Sequence, residues 1–479
     1  MTKDELLHAL RGGEDLTRRQ QLKLVVLLGG PAMMAQMAGI LMQYIDASMV
    51  ARLGAGAMGS IGLVCSSLWL AMGLCSALAT GFYVMASHRV GARKYGEARR
   101  VMNVSIPASL AWSIGLGALG WALAPWLPGW LGGEATIQAD AARYFRILML
   151  CMPVWQINML ASGLLRSAGN LKVPSMLNIM MCLLDVAFNY VFIFWLGMGV
   201  EGAAWGTVAA EAIAMAGLLV CLFRQKEYKA PKPPSYPPKG GRFSMGLQSL
   251  LKHSPLGEVE EAIRLATPMG FERIFLVGAQ IASTVIVAPL GTVALAANAL
   301  GITIESLCYM PGFGIGDAAS TLVGQSHGAG RPALVFSFSR ITLWLGVGVM
   351  TLMGTIMFIG APALVGLMGP EAEVGSLCAH ILRIEAFAEP MYGASIVGYC
   401  IFVALGDSKM PCLMNLATIW GIRITLAALL APTYGLPGVW LAMAIELTVR
   451  GLIFLLRLHF KVKPHPVKAA SGTLPPLPE

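Results

Sequence analysis

Acids and amides that interrupt long apolar stretches are the side chains in this sequence with chemistry to do. Asp46 follows 22 residues that include no Asp, Glu, Lys or Arg. Gln36 and Gln43 are seven apart and Asp46 is three further on, so one helical face carries all three. Asp46 is open to two readings, a solvated residue at the membrane surface or part of an inward-facing polar stripe, and the shared face favours the stripe. A second strip is formed by Asn178, Asp185 and Asn189, spaced seven and four. Asp185 has an amide one turn on and apolar Leu184 and Phe188 beside it. A partly desolvated carboxylate of that kind is suited to taking and releasing a proton near neutral pH. Its other possible role is an interhelical hydrogen bond. Thr207, after Gly202-Ala203-Ala204, offers a hydroxyl to the same space or simply packs among small residues.

The second half holds Glu272, Gln280, Glu305, Asp317, Glu385, Glu389 and Arg423. Glu272 stands beside Arg273, which suits an interfacial salt pair as well as a site. Glu385 and Glu389 are one turn apart, with Arg383 adjacent and Pro390 bending the helix, and structural pairing is expected of them. An arginine inside a membrane must find a carboxylate or water, and Glu389 or Glu272 is the expected partner of Arg423. Asp317, in the Gly-rich PGFGIGDAAS, has no assigned role.

The elements that must position these residues are membrane helices. Of 479 residues 56% are hydrophobic and 12% charged, and the mean hydropathy is +0.69. Soluble proteins carry about 25% charged residues. Residues 24–45, 53–87, 101–133, 274–304, 341–370 and 424–445 contain no charge at all, and about 20 apolar residues cross a bilayer as a helix. The expected fold is an all-α integral membrane protein of twelve spans, near 24–48, 57–84, 101–123, 142–165, 175–196, 201–224, 264–288, 293–318, 336–360, 376–402, 412–432 and 438–459. The Lys- and Pro-rich segment RQKEYKAPKPPSYPPKGGR opens a linker expected over 225–260.

Basic residues gather before the first span, between the second and third, in the linker and in the tail, while the alternate loops have none. That is the positive-inside pattern, with both termini and the linker cytoplasmic. It explains the net charge of +9 without nucleic acid. Nine cysteines lie almost entirely in apolar runs without CxxC spacing, so disulfides and metal sites are not expected. The polar N-terminus argues against a cleavable signal, leaving the first span as the membrane signal.

A shift of 237 residues pairs Pro31 with Pro268, Gly91–Ala92 with Gly328–Ala329, Pro153 with Pro390, Lys172 with Lys409, Pro174 with Pro411 and Asn178 with Asn415. The chain therefore reads as a duplicated six-helix unit, 1–224 and 261–460, with a tail at 461–479. Six spans return the chain to the side it left, so the halves are expected to be related by an axis along the membrane normal, as in parallel-repeat transporters. No GxxxxGK[ST] sequence supports a nucleotide-driven pump. Pro31 and Pro268 permit bends, mobile or static, in the first span of each half.

The segments PAMMAQMAGILMQYIDASMVARLG, VALAANALGITIESLCYMPGFGIGDAASTLVGQSHGAGR, GVEGAAWGT and GLPGVWLAMAIELTVRG resemble the multidrug and toxic compound extrusion (MATE) family over nearly the whole chain apart from the linker and tails. The resemblance implies two six-helix lobes and export of organic cations or other drugs against inward flow of protons or sodium. It matches Asp46 to an acid late in the first span and Thr207 to a cavity threonine. The family's fifth span reads N-x-x-x-D where this chain has Asp185-x-x-x-Asn189, moving the carboxylate by one turn. Glu272 corresponds, displaced by about a turn, to a seventh-span acid. Tyr392 occupies the acidic tenth-span position of sodium-coupled members, with Glu389 one turn away. The usual LRGAGDT is reduced here to VALGDSK.

The expected function is ion-coupled antiport of amphipathic, cationic small molecules from a plasma (inner) membrane. Asp46 and Asp185 would bind the proton (or sodium), with Asn189, Asn178 and Thr207 beside them. Gln36, Gln43, Glu272, Gln280, Glu389, Tyr392 and Arg423 are the candidate cavity and second-lobe residues. No cofactor beyond the coupling ion, no nucleic acid and no catalysis are expected, and the unit is expected to be a monomer in the bilayer. The competing reading is a flippase for a lipid-like substrate, which calls for a cationic cavity. An enzyme would need a nucleophile or metal cluster, and the seven histidines are scattered.

Overall fold

The computed structural model describes residues 1–229, 255–369 and 371–463. Most of the expected linker (230–254) and of the expected tail (464–479) lies outside the described residues. Every regular element described is helical.

Helix α1 (Lys3–Gly12) is started by a capping box between Thr2 and Glu5 and stopped by Gly13 at φ 89°. Thr17 and Gln20 start α2 (Arg18–Ala51) in the same way. The first half continues with α3 (Ala55–Gly91), α4 (Tyr95–Leu123), the single turn α5 (Leu127–Trp130), α6 (Ala135–Leu150), α7 (Met152–Ser167), α8 (Lys172–Tyr190) and α9 (Gly199–Arg224). The second half is α10 (Pro255–Val287), α11 (Thr292–Gly328), α12 (Pro332–Gly366), α13 (Ala372–Glu385), α14 (Glu389–Ala404), α15 (Lys409–Thr418) and α16 (Thr425–Lys461).

Among the described residues nine helices are long and apolar enough to cross a membrane singly, and two bent pairs raise the number to 11. The longest of them, Lys409–Lys461, has 53 residues and breaks at Gly435 (φ 62°, ψ −146°), so it crosses twice. Twelve crossings result. The fourth and tenth are the bent ones, by 46° between α6 and α7 and 59° between α13 and α14. Pro153 and Pro390, partners in the repeat, open the second member of each pair, where a missing N–H is tolerated. The fifth and eleventh each contain a π-turn, Val191–Trp195 and Ile419–Ile424.

The two lobes meet through the first two spans of each. Helix α2 packs on α11, and α3 packs on α10 and α11. The α3–α11 crossing is reciprocal: a Cβ on Gly91 would lie 2.1 Å from the Gln325 carbonyl oxygen, and one on Gly328 2.0 Å from that of His88. These glycines let two backbones touch at repeat-equivalent points, which is what the LVGQSHGAGR segment is for in the fold.

Helix α1 crosses under this seam. Leu6, Leu7 and Leu10 are buried in one cluster with Leu24 and Leu28 of α2, Leu171 ahead of α8, and Leu322 and Val323 of α11. Removing a leucine side chain from water stabilises by about 1.5–3 kcal/mol. Arg11 donates to the Ala168 carbonyl of the first lobe, to Glu227 just beyond that lobe and to Gln325 of the second. Arg331 donates in return to the carbonyls of Ala9, Leu10 and Glu14, closing the C-terminal end of α1.

Candidate functional site

Helices α2, α8 and α9 build the first-lobe site. The periodicity of α8 puts Asp185 and Asn189 one turn apart, facing α2, and each is 1% exposed. Asn189 donates one side-chain N–H to Asp46 Oδ1 at 3.0 Å and the other to Asp185 Oδ2 at 3.1 Å. One amide thus ties two carboxyl groups together across two helices. Gly206 of α9 leaves the room, since a Cβ there would stand 2.0 Å from Asn189 Oδ1. The Thr207 hydroxyl faces Asp185 while bonding the Ala203 carbonyl at 3.2 Å. Asp185 Oδ1 and Asn189 Oδ1 are buried with no hydrogen-bond partner among the described residues. Such acceptors call for a proton or a cation.

Other members of the expected strips lie apart. Asn178 donates to the Ala35 carbonyl at 3.3 Å, away from the acids. Gln36 is half-buried and Gln43 exposed, and no hydrogen bond joins either to the pair among the described residues. Near the pair stands Glu211, which the sequence reading passed over. It lies one turn beyond Thr207 and accepts a bond from Asn158 of α7. An uncompensated glutamate in the middle of the sixth span was signal enough.

The second lobe corrects three expectations. Glu272 is not salt-paired with Arg273. It accepts from the Tyr399 hydroxyl at 2.8 Å and from Asn415 Nδ2 at 2.6 Å. Arg423 reaches neither Glu389 nor Glu272. Its Nε and Nη2 donate to Glu446 Oε2 at 3.1 and 2.8 Å, and Arg450 pairs with Glu446 Oε1 at 3.2 Å. Glu446 and Arg450, spaced as helical neighbours, were the overlooked signal. Arg423 lies in the π-turn, which rotates it towards the twelfth span.

Glu385 and Glu389 are not in structural pairs either. Both are 0% exposed, and all four carboxyl oxygens are without hydrogen-bond partners among the described residues. The helix break between α13 and α14 turns them inward while Arg383 faces out. Tyr392 packs edge-on to Tyr309 at 5.4 Å and lies 5.5 Å under the Arg450 guanidinium. Gln280 is exposed. Asp317 pairs with Arg166 across the two lobes. The rings of His88 and His327 are 4.9 Å apart.

Comparison with known proteins agrees with this architecture. The family described as MatE matches residues 31–191 and 268–429, one stretch in each half and together more than half of the chain. The uncharacterized transporter YisQ of Bacillus subtilis is 23% identical over 423 residues, 87% of this chain and 90% of its own. The probable multidrug resistance protein NorM of Idiomarina loihiensis is 24% identical over 445 residues, 90% of this chain and 92% of its own. The solved structure of the Vibrio cholerae MATE transporter VcmN in its bent form shares the fold with a TM-score of 0.82 at 18% identity, covering 93% of this chain and 98% of that one.

Proposed function

The chain belongs to the MatE family, and from that premise we propose that it is a secondary antiporter. It exports amphipathic, cationic small molecules in exchange for protons or sodium by alternating access. It works as a monomer in the inner (plasma) membrane with both termini cytoplasmic. The observation that carries this reading is the carboxyl pair of Asp46 and Asp185 held on the single Asn189 amide.

The chemistry follows from the charges. Two ionised carboxylates about 4 Å apart repel by roughly 4 kcal/mol at an effective dielectric of 20. One positive charge, whether a proton, a sodium ion or the cation of a drug, relieves that repulsion, and a second gains much less. Ion and drug therefore exclude each other at the pair, and their alternation is the exchange. For sodium, the unpartnered Asp185 and Asn189 oxygens would supply ligands. Among the described residues no group of three or more His, Cys, Asp or Glu is arranged to hold a metal ion.

Helix α2 carries Asp46 and, 15 positions earlier, Pro31, which frees one backbone carbonyl for bending. The same helix packs on α11 of the other lobe. A change of charge at Asp46 that bends α2 is thus passed to the lobe seam. Opening the side that carries α1 requires breaking the Arg166–Asp317 pair and the Gln325-to-Ser167 bond. The buried, unpaired Glu385 and Glu389 give the second lobe its own capacity for protons. A flippase for anionic lipids would need cations at the central site, and the first-lobe cluster is acidic.

Transport in proteoliposomes, with a pH gradient and a sodium gradient imposed separately, tests the proposal. One of the two should drive uptake of a cationic dye into inverted vesicles. Asp46→Asn and Asp185→Asn should each reduce it by at least tenfold while melting within a few degrees of wild type. Wild-type rates in both variants would overturn the assignment.

A further inference from the structure

A groove of about 590 Å³ opens on the outer surface of the second lobe, between α12, α13 and α16, and no acid is among its lining residues. We infer that it binds one anionic phospholipid, with the phosphate at Arg383 and an acyl chain along α16.

Arg383 is the charged group of this groove. It lies inside a membrane span, exposed on the lipid-facing surface. Its Nε donates to the Phe358 carbonyl at 3.3 Å, and its guanidinium sits 5.9 Å from the Phe358 ring. Among the described residues no carboxylate pairs with it, and its two terminal nitrogens have no acceptor. A cation placed so in hydrocarbon costs about 2.5–3.5 kcal/mol unless an anion or the interface receives it. Arg383 stands 11 residues from the start of α13, roughly 16 Å at 1.5 Å per residue. Helical side chains lean towards the N-terminus, so the guanidinium lies on the side of its own Cα that faces the membrane surface from which α13 descends. His380, one turn nearer that surface, lines the same groove. The two form a polar ladder leading down from that surface, and basic groups between membrane helices receive lipid phosphates.

Beside and below the ladder the lining is apolar. Phe387 is 75% exposed, and Leu441, Ile445 and Val449 repeat at every fourth position down α16. After Gly435, α16 descends from the same surface as α13, so this ridge runs from the head-group level into the hydrocarbon. A cationic substrate is repelled by Arg383. Zwitterionic lipid offers the phosphate but brings its own cation to it. Anionic phospholipid matches the charge.

Native mass spectrometry of the whole protein, taken from vesicles of equal phosphatidylglycerol and phosphatidylcholine, tests this. Wild type should keep one phosphatidylglycerol at activation energies that strip phosphatidylcholine. Arg383→Gln should lower the lipid-bound fraction about tenfold, and Leu441→Trp, which fills the groove, should do the same. Arg383→Lys, which retains the charge, should keep most of it. Arg340→Gln, at an exposed arginine over Phe336 elsewhere on the surface, should match wild type. Equal retention of the two lipids, unchanged retention in Arg383→Gln and Leu441→Trp, or a lipid-free dimer covering the groove would each overturn the proposal.

Discussion

Asn189 has two side-chain N–H bonds, and both go to carboxylates on different helices. That residue, rather than either acid alone, sets the distance between them. The pair was legible because spacings of seven and four name one face of α8, and a long charge-free run singles out Asp46. The second lobe was less legible for a physical reason. Helical periodicity says which way a side chain faces but not which of several neighbouring helices it meets, so Arg423 was matched to the wrong acid. Its real partner, Glu446, also holds Arg450, and is 0% exposed. Removing one member of a buried ion network costs about 3–5 kcal/mol. Glu446→Gln should therefore lower the melting temperature in detergent markedly, and double replacement with Arg423→Gln should recover part of the loss. Unchanged melting of the single variant would show that water already compensates the arginines.

Spans and duplication could be read at the scale of elements because hydrocarbon thickness and proline positions constrain them strongly. Their breaks could not. Pro153 and Pro390 announce a bend, yet the 46° and 59° angles depend on packing by other helices. The crossing of α3 and α11 was likewise invisible until Gly91 and Gly328 were seen to meet carbonyls of the opposite helix. Gly328→Val should place carbon where the His88 carbonyl stands, and size-exclusion chromatography should show aggregation. Gly348→Ala, at a helical glycine with open space around it, should elute as wild type. Equal profiles for the two would mean that the lobes do not need this contact.

The whole molecule is one frame used twice with different chemistry in each copy. Asn178 and Asn415 are repeat equivalents, but the first bonds the Ala35 carbonyl and the second the Glu272 carboxylate. The repeat keeps the helices, and the polar residues diverge. Among the described residues only the first lobe joins two acids through an amide, and the proposed competition between ion and substrate takes place there. Binding of a cationic dye to the detergent-solubilised protein, titrated against proton and sodium concentration, tests that most directly. Dye affinity in wild type should fall as the coupling ion rises and be nearly independent of it in Asp185→Asn. Undiminished ion dependence in that variant would contradict the account.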